Sequence, residues 1–299
     1  MVVQSMKQAR SKTGTDAHRK PGPDRMDVES PVTTRHEVYK RIGATELAAT
    51  VYLPPGWSRS DSRAGIVFFG GGGWIAQNPA QFMHQAVHLA EHGVVAITAA
   101  YRTRSQNGTT PFESVKDAKS AVRWMRANAG ALGLDPSRII ASGGSAGGHI
   151  AACAATVPGL DEDDEDPRIS SAPDGLVLFN PALDLAGSDF SLKVHQLLVE
   201  LGVGSRAEEI SPTRHVRPGI VPTVIFHGTD DRLVPFSQAQ TFCERMHSAG
   251  NRCVLYPAKG QDHGFFNYLA SQKLNKGKWY RFCLDRTRRF VLSFQPKRR

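Results

Sequence analysis

The chain has 299 residues, of which 40% are hydrophobic and 22% are charged, a composition that fits one or two globular domains and excludes disorder of the whole chain. No run of about 18 apolar residues occurs, so no membrane-spanning helix is expected. The net charge of +9 comes entirely from residues 271–299, which hold ten Lys or Arg and one acid, and this local surplus does not predict nucleic-acid binding.

The N-terminal residues 1–30 are predicted to form a disordered basic tail. They are polar, place Pro21 and Pro23 on either side of a glycine, and show no hydrophobic periodicity. They also lack the apolar stretch of about 7–15 residues that a secretion signal requires. A cytoplasmic protein is therefore expected, with a secreted or periplasmic one as the alternative if the true start of the chain differs.

Predicted strands and helices alternate from residue 36 onward. Short apolar or alternating runs bounded by Gly or Pro predict strands at residues 36–42, 46–53, 66–69, 94–100, 138–142, 176–179, 221–226 and 253–256. A hydrophobic period near 3.6 predicts helices at residues 82–91, 113–131, 149–157, 189–201, 237–249 and 281–294. This alternation implies an α/β fold with a mostly parallel, eight-stranded sheet flanked by helices and joined by right-handed crossovers.

The cysteines Cys153, Cys243, Cys253 and Cys283 fit no zinc-binding spacing. Free thiols in a reducing compartment are the main expectation. A single bridge between Cys243 and Cys253 is the alternative, because a helix and the strand that follows it could bring these two residues together.

Two groups of charged residues are interpreted as structural. The acidic run Asp161–Asp166 lacks the ligand spacing of a calcium loop, so a solvated loop is expected. Arg102 follows a predicted strand and Asp117 lies in the next helix, where an ion pair between them is expected.

The segment Gly143–Gly147 reads G-x-S-x-G, and its surroundings are those that this motif needs. A strand is predicted before it and a helix after it, so Ser145 is expected on a sharp turn with its hydroxyl exposed. The flanking glycines permit close backbone approach. The N–H of Ala146 begins the helix, where it can stabilise an oxyanion. Ser145 is therefore the predicted nucleophile.

A serine nucleophile needs a base, and the base needs a carboxylate that orients it. Two later loops supply these residue types, because His227–Pro235 contains Asp231 and Gln261–Phe266 contains His263. Both loops follow predicted strands, and open α/β sheets carry their sites at the carboxyl ends of strands. The order serine, aspartate, histidine is that of the α/β-hydrolase fold.

Four motifs in one order make the chain resemble the α/β-hydrolase superfamily, near its hormone-sensitive-lipase-like and acetyl- or feruloyl-esterase families. Those families have an H-G-G-G-W loop, a G-x-S-A-G-G turn, H-G-x-x-D-x-x-V-P and a late H-G-F. The matching segments here are Gly70–Trp74, Gly143–Gly148, His227–Pro235 and His263–Phe265. The resemblance extends from residue 36 to about residue 294 and implies one catalytic domain, placed at residues 31–299, with a small cap or none.

The glycine loop departs from the family pattern at one position, because Gly70 stands where the family has a histidine. The resemblance implies that Gly72 and Gly73 donate N–H groups to the oxyanion, together with Ala146. Gly73 and Trp74 are the alternative donors from the loop. The missing imidazole predicts a more flexible loop. A phosphate-binding loop is not indicated, because neither G-x-G-x-x-G nor a Walker lysine is present.

The resemblance implies a serine carboxylic-ester hydrolase that forms an acyl-enzyme. His263 would take the proton of Ser145, and Asp231 would orient His263. Asp230, and after it Asp262, are the alternatives for the acid. The alternative functions are a serine peptidase of the prolyl-oligopeptidase type, a lipase and, more remotely, a non-catalytic or nucleic-acid-binding protein.

No cofactor or metal is expected. His84, His88 and His92 have the spacing of one helix face, but no H-E-x-x-H pattern accompanies them, so a polar helix face is the interpretation. The expected partner is a small-molecule ester.

A short, acetyl-like acyl group is the expected substrate feature. Residues 183–220 are the only candidate for a partial lid, so an open and shallow site is expected. Trp74, beside the glycine loop, and Phe265, after the histidine, are the predicted substrate-binding residues. Trp74 alternatively packs the loop onto the core.

Overall fold

The structure of the protein, a computed structural model, describes residues 31–294. Within these residues one eight-stranded sheet comprises Thr33–Ile42 (β1), Thr45–Leu53 (β2), Arg63–Phe69 (β3), Val95–Ala99 (β4), Leu134–Gly144 (β5), Gly175–Phe179 (β6), Thr223–Gly228 (β7) and Cys253–Ala258 (β8). The strand order is β1-β2-β4-β3-β5-β6-β7-β8. The β1–β2 and β2–β4 pairs are antiparallel, and the others are parallel. This arrangement confirms the predicted fold class.

The α-helices of the described chain are Met83–Glu91 (α1), Arg104–Asn107 (α2), Pro111–Ala127 (α3), Ala129–Leu132 (α4), Ala146–Thr156 (α5), Leu192–Glu200 (α6), Phe236–Ser248 (α7), Tyr268–Asn275 (α8) and Lys278–Ser293 (α9). Short 3-10 segments lie at Pro79–Phe82, Gly204–Ile210 and Pro212–His215. Each of the predicted helices is present with ends shifted by a few residues, except that the predicted helix at 113–131 is divided at Asn128 into α3 and α4. α8 was not predicted, because only Ser271 in it is buried and no apolar face marks it.

The strands divide their side chains between two hydrophobic cores, one on each face of the sheet. In β3, Val67 and Phe69 pack in the core that contains residues of α3, α5 and α7. Ile66 and Phe68 pack in the other core, with residues of α1 and α9. This division follows the period of two of an extended strand. Because both faces are covered, the strand is apolar at nearly every position, as in other parallel sheets.

A disulfide joins Cys243 in α7 to Cys253 in β8, with the two Cα atoms 5.5 Å apart. The expectation of four free thiols is therefore wrong, and only Cys153 and Cys283 are free, both of them buried. Consecutive elements bring the bridged pair within the required separation. Disulfides are rare in reducing compartments, so this bridge counts against the expected cytoplasmic location, which stays a prediction.

The acidic run Asp161–Asp166 is not a free solvated loop. Glu162 accepts hydrogen bonds from Lys40 at 2.8 Å and from Arg102 at 2.6 Å. Arg102 also pairs at 2.8 Å with Asp117, whose side chain is fully buried, and this confirms the predicted ion pair. Cations on the neighbouring elements therefore hold the acidic run against the domain.

The predicted tail at residues 1–30 lies outside the described residues. Within residues 31–294, no helix combines the length and the apolar character needed to cross a bilayer. The same residues hold no group of three or more His, Cys, Asp or Glu arranged to bind a metal ion.

Candidate active site

The carboxyl ends of β3, β5, β6, β7 and β8 lie at one edge of the sheet, because these strands are parallel neighbours. The loops that follow them border a cleft of about 770 Å³. Ser145 after β5, His263 after β8 and Gly71–Gly73 after β3 all line this cleft. The structure thus brings the predicted serine, histidine and glycine loop to a single place, where ligands of open α/β sheets generally bind.

Ser145 occupies the turn between β5 and α5 with φ 54° and ψ −122°, a conformation that residues with side chains rarely adopt. The turn is tight because two glycines let backbones meet. A Cβ at Gly143 would lie 2.5 Å from the carbonyl oxygen of Gly147, and a Cβ at Gly147 would overlap with the carbonyl oxygen of Phe69 in β3. The two glycines of the G-x-S-x-G pattern are therefore required, because the turn lies in close contact with the neighbouring strand β3.

His263 and Asp231 are hydrogen-bonded across two loops. The imidazole Nδ1 lies 2.7 Å from Oδ2 of Asp231. The other carboxylate oxygen, Oδ1, accepts hydrogen bonds from the backbone N–H groups of Leu233 and Val234, both at 2.9 Å. The side chain of Asp231 is fully buried, whereas that of His263 is 18% exposed. With Nδ1 as the donor, Nε2 is the nitrogen that can accept a proton.

Asp231 lies among donors that favour its charged form. Burial alone would raise the pKa of this carboxyl group, but hydrogen bonds from the imidazoles of His227 and His263, and the charge of His263, outweigh burial. The net effect holds the pKa of Asp231 well below its ordinary value. The carboxylate is therefore ionised at neutral pH and available to orient the imidazole.

The two alternative acids are engaged elsewhere. Asp230 is exposed, and its Oδ1 accepts a hydrogen bond from the hydroxyl of Thr229 at 2.8 Å. Asp262 pairs with the guanidinium of Arg232 and accepts the backbone N–H of His263, not its imidazole. Of the three carboxylates considered, only that of Asp231 is therefore hydrogen-bonded to the imidazole of His263.

Asn180 also belongs to this cluster, and the sequence analysis missed it. The residue follows β6 and is fully buried, and its side-chain amide donates to Oδ2 of Asp231. Its backbone adopts φ 43°, which asparagine tolerates better than most residues, and its N–H donates to the carbonyl of Phe226 at 2.8 Å. The available signal was an asparagine directly after a buried strand, at the edge where the other functional loops begin.

The glycine loop lies directly against the serine. A Cβ at Gly71 would lie 3.2 Å from Cβ of Ser145. Among the described residues, no acceptor is hydrogen-bonded to the backbone N–H of Gly72 or Gly73. Ala146 is the first residue of α5, so its N–H has no acceptor within the helix. Gly72 and Gly73 therefore line the same cleft as Ser145, Ala146 follows Ser145 directly in the chain, and the N–H groups of all three are unbonded.

No side chain fits at the position where the family has its histidine. A Cβ at Gly70 would overlap with the backbone carbonyl of Asn78. The carbonyl oxygen of Gly70 instead accepts a hydrogen bond at 2.7 Å from the hydroxyl of Tyr101, which is fully buried. The loop is therefore anchored by a residue from another segment, contrary to the loose loop that the missing imidazole predicts.

Trp74 ends the glycine loop and is held by His149. The indole is only 5% exposed, and its Nε1 donates to Nδ1 of His149 at 3.2 Å. Nε2 of the same imidazole lies 2.6 Å from the carbonyl oxygen of Ile210, so this nitrogen is a donor. Burial lowers the pKa of His149 to about 4, which keeps the ring neutral. These contacts pack the loop onto the core, as the alternative for Trp74 expects, while Trp74 also lines the cleft. Its contact with a substrate stays a prediction.

Phe265 does not line the cleft, and this corrects its predicted substrate-binding role. Its ring is 2% exposed and packs edge-on against Phe266 and Trp279. Gly264 and Phe266 line the cleft instead. The physical reason is the conformation of Gly264, whose φ of 81° turns the chain directly after the histidine.

The partial lid predicted at residues 183–220 contains α6. Val194 and Leu197 of this helix line the cleft. Another part of the lining is formed by His84 and Tyr268, whose ring centroids are 4.1 Å apart. Apolar side chains form most of the lining. The cleft therefore favours a substrate whose reacting bond carries apolar groups next to it.

The chain is similar in sequence to known esterases. The BD-FAE family model matches residues 50–246. The probable carboxylic ester hydrolase LipM of Mycobacterium tuberculosis is 28% identical over 73% of this chain and 54% of its own length. Esterase LipQ of the same organism is 25% identical over 84% of this chain and 68% of its own length. The chain spans about half the length of most of the curated relatives that it matches.

The chain is also similar to solved structures of Thermogutta terrifontis esterase 2. The apo form is 41% identical, with a TM-score of 0.80 over 91% of this chain and 100% of that chain. The propionate-bound form is 42% identical, with a TM-score of 0.79 over 87% of this chain and 93% of that chain. This likeness therefore extends over nearly all of the described residues.

Proposed function

Because the chain belongs to the BD-FAE family of α/β-hydrolases, we propose that it is a serine carboxylic-ester hydrolase that acts on short-chain acyl esters. The observation that carries the proposal is the cleft itself. It joins a half-buried serine on a strained turn, a histidine bonded to a buried carboxylate, and a loop with unbonded N–H groups. This combination of nucleophile, base and oxyanion donors is what acyl transfer requires.

In the proposed reaction, Nε2 of His263 removes the hydroxyl proton as Oγ of Ser145 attacks the ester carbonyl carbon. The carbonyl π electrons move to the oxygen, and the tetrahedral intermediate then collapses and expels the alcohol, which takes the proton from His263. The acyl group remains on Ser145 as an ester. Water, deprotonated by the same nitrogen, attacks this ester and releases the acid, and Ser145 regains its proton. Asp231 orients the imidazole and stabilises its charged form.

The proposed oxyanion hole consists of the N–H groups of Gly72, Gly73 and Ala146. These donors are useful because they are unbonded before the reaction and need not reorganise when charge develops. Removal of one such donor typically costs about 10²–10³ in kcat. The position of Ala146 at the start of α5 adds the favourable end of the helix dipole.

A short acyl group is the proposed substrate feature. The lid segment supplies only one α-helix to the cleft, α6, and this helix has 9 residues. The propionate-bound structure of the 41–42% identical esterase from Thermogutta terrifontis supports an acyl site of this size. A lipase is the second candidate, because Leu233 and Leu269 line the cleft and are 57% and 67% exposed, as a surface that meets long acyl chains would be.

The proposed nucleophile is tested by Ser145→Ala. We expect kcat/KM for p-nitrophenyl acetate to fall by more than about 10³-fold, because no other group can form the acyl-enzyme. Circular dichroism and thermal unfolding of the variant serve as the control for its fold. Retention of more than about a tenth of the wild-type rate, in a folded variant, would remove Ser145 from this role.

The acyl specificity is tested with p-nitrophenyl esters from acetyl to palmitoyl. We expect kcat/KM to be largest for acyl groups of about two to four carbons and to decline with length, because a longer chain leaves the cleft for water. A maximum at decanoyl or beyond would favour the lipase candidate. Absence of ester turnover with cleavage of a proline-containing peptide would move the assignment to a peptidase.

A further inference from the structure

The peptide unit between Gly70 and Gly71 is held on both of its edges. Its carbonyl oxygen accepts the hydroxyl of Tyr101 at 2.7 Å, and its N–H donates to Oε1 of Gln81 at 2.6 Å. This peptide lies against the serine, because a Cβ at Gly71 would be 3.2 Å from Cβ of Ser145. Its orientation therefore determines where the next two N–H groups of the loop, the proposed oxyanion donors, lie.

The other end of the Gln81 side chain reaches the loop of the histidine. Nε2 of Gln81 donates to Oδ1 of Asn267 at 2.9 Å. The backbone N–H of Asn267 in turn donates to the carbonyl of Gly264 at 3.0 Å, which closes the turn directly after His263. A single amide thus connects the two loops that supply the proposed oxyanion donors and the proposed base.

Asn267 uses its side chain in an unusual way for its position. It is the N-cap residue of α8, yet its side chain makes no capping hydrogen bond to that helix. An asparagine at this position commonly accepts a backbone N–H and stabilises the helix by about 1 kcal/mol. Here the oxygen accepts a hydrogen bond from the amide of Gln81 instead. Helix α8 therefore lacks the stabilising cap, and the same oxygen forms the contact between the two loops.

Gln81 itself is fixed by its local structure. It lies in the 3-10 segment Pro79–Phe82, where the side chain of Asn78 accepts the N–H of Ala80 at 3.0 Å. The next residue, Phe82, is 1% exposed and stacks on Phe68, with ring centroids 5.0 Å apart. The amide is therefore presented from a rigid segment, as a side chain that positions other groups must be.

We propose that Gln81 is a positioning residue that couples the glycine loop to the loop of His263. The proposal rests on the proposed function, because it assigns Gln81 a part in placing the oxyanion donors relative to the base. Interactions realised only in the transition state change kcat, whereas substrate contacts made equally before and during the reaction change KM. A positioning role therefore predicts an effect on kcat alone.

The first test is Gln81→Met, which keeps the length of the side chain and removes both hydrogen bonds. For p-nitrophenyl propionate we expect kcat to fall by about 10- to 100-fold and KM to stay within about 3-fold, because misplacement of reacting groups by a fraction of an ångström costs this much. Gln77→Met is the matched control. Gln77 lies four positions earlier in the chain, just before the 3-10 segment, and its amide donates to the carbonyl of Tyr101 at 3.2 Å, not to the glycine loop or to Asn267, so we expect kcat within about 2-fold of wild type.

The second test is a double-mutant cycle with Asn267→Ala. If Gln81 acts through the contact with Asn267, the fall in kcat caused by Asn267→Ala shrinks or disappears when Gln81 is already Met. Stoichiometric labelling of Ser145 by a fluorophosphonate counts the folded, reactive molecules in each preparation. Normalised to that count, additive effects of the two substitutions would overturn the coupling.

The remaining outcomes are also decisive. An unchanged kcat in Gln81→Met, or a raised KM with kcat unchanged, would overturn the positioning role, and the second result would make Gln81 a substrate contact in the cleft that it lines. Ser145→Ala separates the two proposals. If it abolishes turnover while Gln81→Met does not slow it, the coupling fails and the hydrolase mechanism stands. If Ser145→Ala remains active, the mechanism itself fails.

Discussion

The acid–base side of the cleft and the glycine loop are held in opposite ways. Asp231 and His263 are bonded directly to each other, and the remaining acceptor sites of the carboxylate are filled by neighbouring donors. In the glycine loop, the N–H groups of Gly72 and Gly73 have no acceptor among the described residues, and the bonds that fix the loop lie on the peptides and side chains around them.

The difference follows from when each group acts. A buried carboxylate carries its charge at all times, so its hydrogen bonds must be satisfied before any substrate arrives. An oxyanion donor is needed only in the transition state, and an acceptor supplied by the protein would compete with the substrate oxygen. The glycine loop is therefore positioned indirectly. The hydroxyl of Tyr101 and the amide of Gln81 bind the peptide before the donors, and the indole of Trp74 after them donates a hydrogen bond to His149.

The largest effect is expected from breaking the direct bonds of the acid–base side. Asp231→Asn should lower kcat by about 10³- to 10⁴-fold, because an amide cannot hold the imidazole in the required tautomer or stabilise its charged form. Asp230→Asn is the matched control and should stay within about 2-fold, since that carboxylate is exposed and bonded only locally. Rates of p-nitrophenyl acetate hydrolysis check both, and a reversed ranking would show that the acid is Asp230.

A smaller effect is expected from restoring the histidine of the family pattern in the glycine loop. Gly70→His should lower kcat by about 10-fold or more, because its Cβ would overlap with the carbonyl of Asn78 and shift the loop. Gly130→Ala is the control, since nothing lies within 4 Å of a Cβ there and the residue is in α4. It should leave kcat unchanged and keep or raise the thermal midpoint. A gain of activity in Gly70→His would show that the loop has room for a side chain at this position.

The last effect concerns the indirect support by His149 and is a change of stability with pH, with no change of rate expected at neutral pH. The ordinary pKa of 6.5 is lowered by burial to about 4 in the folded protein, so between these values the unfolded chain binds the proton and the folded one does not. The stability supplied by the neutral ring is therefore complete above pH 6.5 and declines by about 3 kcal/mol as the pH falls towards 4.

Urea unfolding of wild type and His149→Gln from pH 7 to pH 4 measures this contribution. The difference in unfolding free energy between the two should shrink as the pH falls, because glutamine does not titrate. Parallel curves over this interval would show that His149 is not held neutral by the fold.

The sequence by itself determined the features that local backbone geometry imposes. Alternating apolar runs and helical periods predicted the sheet, because both faces of each parallel strand must be covered. Gly143 and Gly147 marked the turn of Ser145, because only glycine permits the approach of the turn to β3. The loops after parallel strands predicted that His263 and Asp231 would meet, and the structure places them 2.7 Å apart. Their catalytic roles stay proposals.

Only the tertiary structure decided which side chains from distant segments support these groups. Gln81 and Asn267 are separated by 186 positions and Trp74 and His149 by 75, and no periodicity or motif connects residues so far apart. The sequence also could not predict that the side chain of Phe265 points away from the cleft, because the φ of 81° at Gly264 turns the chain after the histidine. Such contacts depend on how neighbouring loops approach one another across the edge of the sheet, and that approach is fixed by the packing of the whole domain.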